Sequence, residues 1–259
     1  DASKTDSLTL SGTNVTAWAD ADGRAVTFSQ ATADLQPVYI PGSINSLPAL
    51  RFGFSENSKR LTANASAAAQ TVFIVNRMTS GKDYGGHGIW GWSGNDSGIR
   101  ARSATQWQHT NNGGNSSEFT WLGEMYINGV PGTTFVTGVP HILTAVSSNQ
   151  VSWTAALGHY LTSQPDRFFR GEIGEVLVFN RVLSPVERQS VVGYLAEKWL
   201  DDASISPVPD MLPTATALTL SVGGILDLNG VNQTVASLYG DGTLRNSNPV
   251  ACTLTVGGD

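Results

Sequence analysis

TVFIVNRM (residues 71–78) and EVLVF (residues 175–179) are nearly unbroken apolar runs, each bounded by polar or turn-forming residues. Runs of this length fit strands covered on both faces, whereas a buried helix would need about ten residues or more. Both are therefore expected at the centres of sheets. Around them the chain repeats one motif, a short strand and then a turn. VTAW (15–18) is followed by Asp20, Asp22 and Gly23. In RAVTFSQ (24–30), Ala25, Thr27 and Ser29 alternate with Val26 and Phe28. QPVYI (36–40), PALRFG (48–53), EMYING (124–129), PHILTAVSS (140–148), VSWTAALGHY (151–160) and EIGEVLVFN (172–180) continue the series. Strands of about five to eight residues at this spacing, with little helical periodicity between them, predict an all-β fold, a two-sheet antiparallel sandwich or jelly roll.

One helix interrupts this pattern. Ser184 is an N-cap, Pro185 occupies the first helical position, and Glu187 completes a capping box. Val191, Leu195 and Trp199 then recur at spacing four, which predicts a capping helix near 184–199 lying across an edge or end of the sandwich. Residues 201–213, DDASISPVPDMLP, carry three prolines in a polar stretch and read as a linker. Residues 214–259 alternate apolar and polar positions between Gly-Gly, Asn-Gly and Gly-Asp-Gly turns. They are too few for a good core of their own and suit the first rung of a β-solenoid. The expected organisation is a domain over 1–200, the linker, and a small C-terminal β appendage over 214–259.

Composition removes whole classes of function. Of 259 residues, 14% are charged and 40% hydrophobic, with 28 glycines and a net charge of −6. That is too apolar for a disordered chain, and it lacks the basic excess that nucleic acid or anionic lipid would require. No apolar run is long enough to span a bilayer, and DASKTDSLTL has neither a basic start nor an apolar segment of a signal peptide. The single cysteine, Cys252, can form neither an internal disulfide nor a structural zinc site. Low charge, many Thr, Asn and Gly, and almost no cysteine match secreted bacterial β-proteins.

Two stretches also carry a family resemblance. The order VTAWAD, Gln30, QPVYI, PALRFG, TVFIVNR and GEIGEVLVFNRVLSPVERQSVVGYLAEKW resembles bacterial laminin-G-like domains of the concanavalin-A-like superfamily, up to about Leu200. Its last segment, a Gly-Glu-Ile strand, an Asn-Arg turn and a Leu-Ser-capped helix ending in Lys-Trp, is the most specific. LDLNGVNQTVASLYGDGTLRNSNPVACTLTVGGD (226–259) resembles the autotransporter-associated β-strand repeat of secreted bacterial passenger proteins. These resemblances imply a jelly roll in a larger extracellular or cell-surface polypeptide, often one used for carbohydrate recognition.

The superfamily includes glycosidases, whose retaining members need two carboxyl groups about 5 Å apart. Catalytic relatives carry them on one strand as Glu-x-Asp-x-Glu or Glu-x-Asp-x-x-Glu, which is absent here. Glu172 and Glu175 are the nearest candidates, but a spacing of three sends them to opposite faces of a regular strand, and only a β-bulge would bring them together. The resemblance also makes this strand a structural element of the family. His87, His109, His141 and His159 lack metal-site spacing and read as surface or hydrogen-bonded residues. Asp20 and Asp22 could contribute oxygens to a structural calcium site, although Asp-Gly is ordinary turn chemistry.

The richest region is Thr79 to Trp121, where Tyr84, Trp90, Trp92, Trp107 and Trp121 are interleaved with Gly, Asn and Ser. Exposed rings can stack on sugars while polar side chains bond the hydroxyl groups. The candidate ligand residues are Tyr84, His87, Trp90, Trp92, Arg100, Arg102, Trp107, His109 and Asn111, with Gln106 beside them. Trp90, Trp92 and Trp107 have a competing reading as core. Trp18 and Trp199 are expected in the core, and Trp121 and Trp153 lean that way. The expected function is a monomeric, non-catalytic polysaccharide-binding module of a larger protein. A structural or adhesive surface domain, which predicts buried rather than exposed indoles, is the alternative. An atypical glycoside hydrolase or polysaccharide lyase comes next.

Overall fold

A computed structural model describes residues 1–21, 23, 26–53, 59–79, 87–92, 98–110, 123–159, 168–202, 205, 212–228, 231–247 and 252–257. Of His87, Trp92, Thr110, Asn149, Val151 and Trp153 only the backbone is described. The chain divides into one unit of residues 1–183 with 195–202 and a second of 184–194 with 203–259. The helix, which the sequence reading assigns wholly to the first domain, is thus split between the two.

The first unit is all-β and antiparallel. Its early strands are β1 Leu8–Ser11, β2 Asn14–Ala19, β3 Thr27–Ser29, β4 Val38–Ile44, β5 Leu47–Phe52, β6 Leu61–Ala63 and β7 Ala67–Met78. They are followed by β8 His87–Trp92, β9 Gly98–Ser103, β10 Gln106–Thr110, β11 Gly123–Ile127 and β12 Val130–Pro131. The last are β13 His141–Trp153, β14 Ala155–Leu157 and β15 Gly171–Phe179. Hydrogen-bonded neighbours run β10-β9-β8-β14-β6-β3-β2-β4-β5-β15-β7-β13-β11-β12, with β1 beside β2. Local chemistry sets the tight hairpins. Asn128-Gly129 joins β11 to β12 with φ of 51° and 79°, the positive angles a two-residue turn needs to follow strand twist.

TVFIVNRM does lie at a sheet centre, between β15 and β13, and EVLVF pairs with it as the second half of β15. Alternation divides their side chains. Val72, Ile74 and Ile173 face one core cluster with Leu50, Phe52 and Leu143. The same cluster takes Ile89, Trp90, Ile99, Ala101 and Trp107 from the opposite end of the strand path. The path therefore turns back so that both halves cover one core, a sandwich-like arrangement. Burying a large apolar side chain contributes roughly 1.5–3 kcal/mol, so this shared cluster is the main stabilising feature of the unit.

Helix α1 (Pro185–Trp199) starts as the sequence dictates: Glu187 N–H donates to Ser184 Oγ at 3.3 Å, and Ser184 N–H donates to Glu187 Oε2 at 2.8 Å. Its buried stripe is Val192, Leu195, Ala196 and Trp199, with Val191 only half-buried. Trp199 packs on β15 at Gly174, where a Cβ would lie 2.6 Å from the indole.

The second unit contains parallel strands. β16 Ala217–Thr219, β17 Ile225–Asp227 and β18 Gln233–Val235 pair in parallel with β19 Ser237–Tyr239, β20 Thr243–Arg245 and β21 Leu254–Val256. The central register pairs are Leu218–Leu238, Leu226–Leu244 and Thr234–Thr255, like on like in every strand. The sequence reading expects one uncovered rung; the chain makes two passes, the second stacked on the first. Before the first pass, Gln233 caps the backbone of Leu212, accepting from its N–H at 3.0 Å and donating to its carbonyl at 3.1 Å.

Candidate functional site

The aromatic region resolves into a hairpin sheet, β8-β9-β10, at one end of the strand path. Trp107 lies opposite Ala101 and Gln108 opposite Arg100. Ile99 and Ala101 are buried, so alternation sends Arg100, Gln108 and Arg102 to the other face. Arg102 and Gln106 are exposed, and Arg100 and Gln108 half-buried. Among the described side chains of β9 and β10, polar planar groups form the outward surface here.

Of the two readings of Trp90 and Trp107, ligand platform or core, burial supports the core, and their assignment as ligand-stacking residues is corrected. Each is only 2% accessible, because both belong to the core side of their strands. Phe28 packs on Trp90 at 6.2 Å between centroids, and Phe135 stacks on Trp107 at 5.0 Å. Trp107 Nε1–H donates to His141 Nε2 at 2.9 Å, while His141 Nδ1 lies 3.2 Å from the Val139 carbonyl. One nitrogen must accept and the other donate, so this geometry needs the neutral imidazole. Burial holds the His141 pKa at about 4, below the usual 6.5. His109, two residues from Trp107 on the same side, is half-buried and likewise lowered to about 4 by burial. Tyr84 and Asn111 lie outside the described residues, as do the side chains of His87 and Trp92.

The two glutamates come together in the manner the sequence reading reserves for a bulge. Glu172 pairs with Arg77 and Glu175 with Val75, with the register shifting at Gly174. Arg77 and Val75 are two apart on β7, so both glutamates share the outward face of the sheet. Each is consumed by structural partners. Glu172, 0% accessible, accepts from Arg51 Nε at 3.0 Å and Arg77 Nε at 2.8 Å. Glu175, 3% accessible, accepts from Lys198 Nζ at 2.9 Å and Trp199 Nε1 at 2.7 Å. A hydrolytic pair must face a sugar across a groove, and neither carboxylate here is open to one.

Asp20 serves a hairpin turn: its N–H donates to the Val26 carbonyl at 3.0 Å, and its own carbonyl accepts from Gly23 N–H at 3.3 Å. Asp22 lies outside the described residues. No group of three or more His, Cys, Asp or Glu is placed to hold a metal among the described residues.

Sequence reasoning missed a row of charge across three strands, Arg51 on β5, Glu172 on β15 and Arg77 on β7. Arg77 Nη2 also donates to Ser43 Oγ at 3.1 Å. The three residues are far apart in the chain, and only the strand register brings them together; no local spacing could reveal them. Comparison with family models gives no match to this chain, and comparison with curated proteins gives none either.

Proposed function

We propose that this chain is a non-catalytic structural or adhesive interaction module of a secreted or cell-surface bacterial protein. In this reading residues 1–200 form a jelly-roll sandwich of the laminin-G-like, concanavalin-A-like kind, and 214–259 a solenoid repeat of the autotransporter-associated kind. The observation that carries it is the burial of Trp90 and Trp107. Rings committed to the core cannot stack on a sugar, and buried indoles are what a structural module predicts. The enclosed ion pairs of Glu172 and Glu175 argue in the same direction against hydrolysis. Affinity electrophoresis through neutral glucans, mannans and xylans tests the reading: unretarded migration is expected, with no reducing ends released.

A second reading, neutral-glycan binding by hydrogen bonds alone, is favoured by the outward Arg100, Arg102, Gln106 and Gln108. Retardation by a neutral polysaccharide that is lost in Arg102→Ala and Gln108→Ala would replace the first reading with this one.

A further inference from the structure

The outward side of the sheet gathers guanidinium groups at the start of β15. Thr79 N–H donates to the Arg170 carbonyl at 2.9 Å, so the β15–β7 ladder continues one step beyond Gly171 and Met78. Phe169 is fully buried in the core, and a Cβ on Gly171 would lie 2.7 Å from its ring. Alternation therefore places Arg170 on the opposite, outward side with Glu172. It stands one row, about 7 Å, from the Arg51–Glu172–Arg77 row. Its guanidinium carbon lies 5.1 Å from the centroid of the Phe168 ring. Its Nε is buried without a hydrogen-bond partner, and no carboxylate pairs with it among the described residues. Arg77 is 26% exposed and shares its one counter-charge, Glu172, with Arg51.

We propose that Arg170 and Arg77, with Thr79 beside them and Phe168 beneath, bind an oxyanion presented as the carboxylate or sulfate ester of an acidic polysaccharide. The Nε edge is closed off, and the two Nη groups of the half-buried guanidinium carry the parallel N–H donors that match the two oxygens of a planar oxyanion. Phe168 fixes the plane of that fork, which an ammonium group would not need. The flanking side chains Ser43 and Thr79 carry hydroxyl groups, suited to a ligand dense in hydroxyls. The whole chain carries −6, so its overall field does not draw polyanions and recognition must be local. A polymer repeating its acid groups strengthens a weak single contact by effective concentration. This site goes beyond the proposed function and is separate from the outward face of β9 and β10.

Affinity electrophoresis of the full chain in gels containing polygalacturonate, dextran sulfate or unsubstituted dextran tests it. Retardation by a polyanion and not by dextran is expected, and which polyanion acts separates carboxylate from sulfate ester. Arg170→Ala should weaken binding about tenfold or more, the size of a lost charge-assisted pair. Arg170→Lys should fall between, having charge without the fork. Arg170→Gln keeps the stem over Phe168 and covers the case in which Ala fails to fold. Lys4→Ala, at an exposed cation outside the site, should change nothing. Absence of retardation by both polyanions, equal retardation of wild type and the Ala and Gln variants, or loss in Lys4→Ala alone would each overturn the site.

Discussion

His141 joins the two ends of the strand path, and its protonation state is part of the contact. Neutral, it accepts from Trp107 on β10 while sitting at the start of β13. Protonated, it would turn a donor toward the indole N–H. Its pKa is about 4 folded and 6.5 as the ordinary value, so the unfolded chain binds the proton more readily. Stability from this group is fully present above pH 6.5 and is lost as pH falls toward 4, on the order of 3 kcal/mol in all. His141→Gln, which retains an acceptor but does not titrate, should flatten that decline. Parallel urea-unfolding curves for wild type and variant between pH 7 and 4.5 would contradict it. Glu172→Gln should destabilise by roughly 2 kcal/mol at pH 7, reduced from the fully buried case because both arginines remain partly exposed; chemical denaturation measures it. At this scale the sequence was only half legible. Spacing two relates Trp90 to Trp92 but does not say which side of the strand is core; for Trp90 that depends on Phe28 and Ile99, supplied from elsewhere in the chain.

Helix α1 was legible because its signals are local: Ser184, Pro185 and Glu187 lie within one turn. Ser184→Ala should cost about 1 kcal/mol, read as a lowered denaturation midpoint. The bulge in β15 was not legible in the same way. Gly174 within an apolar run hints at a close approach, but the reason for it, Trp199, arrives 25 residues later. Gly174→Ala would force its methyl into that indole and should destabilise by about 1–3 kcal/mol. Thermal unfolding followed by near-UV circular dichroism, with Trp199 as reporter, tests this; an unchanged midpoint would mean the helix yields freely. The parallel pairing of β16–β21 was foreseen only as a single rung, since the Leu-Leu-Thr order at strand centres is visible only once the strands are aligned.

Over the whole molecule, buried side chains are distributed unevenly. The first unit holds nearly all the core, whereas in residues 203–259 only Val231, Gln233 and Val235 are buried among those described. Local stability follows such burial. Amide hydrogen exchange should therefore be fastest in β19–β21 and slowest in β7, β13 and β15, by several orders of magnitude. Similar protection in the two groups would show that the second unit is held by something other than its own packing. The all-β class, the central strands and the helix could be read directly from short-range patterns. The closure through Trp107 and His141 and the charged row through Glu172 could not, because each depends on register between distant segments.

The like-on-like stacking of β16–β18 on β19–β21 makes a stack whose length is counted in copies. Strand centres recur 20, 18 and 21 residues apart, and each recurrence advances the stack by the spacing of neighbouring strands, about 4.8 Å. Inserting a duplicate of residues 237–257 after the original should extend the molecule by that increment and bury Leu244, now 43% accessible, beneath a new leucine. Growth would then proceed by tandem duplication, with each added turn sheltering the one before it.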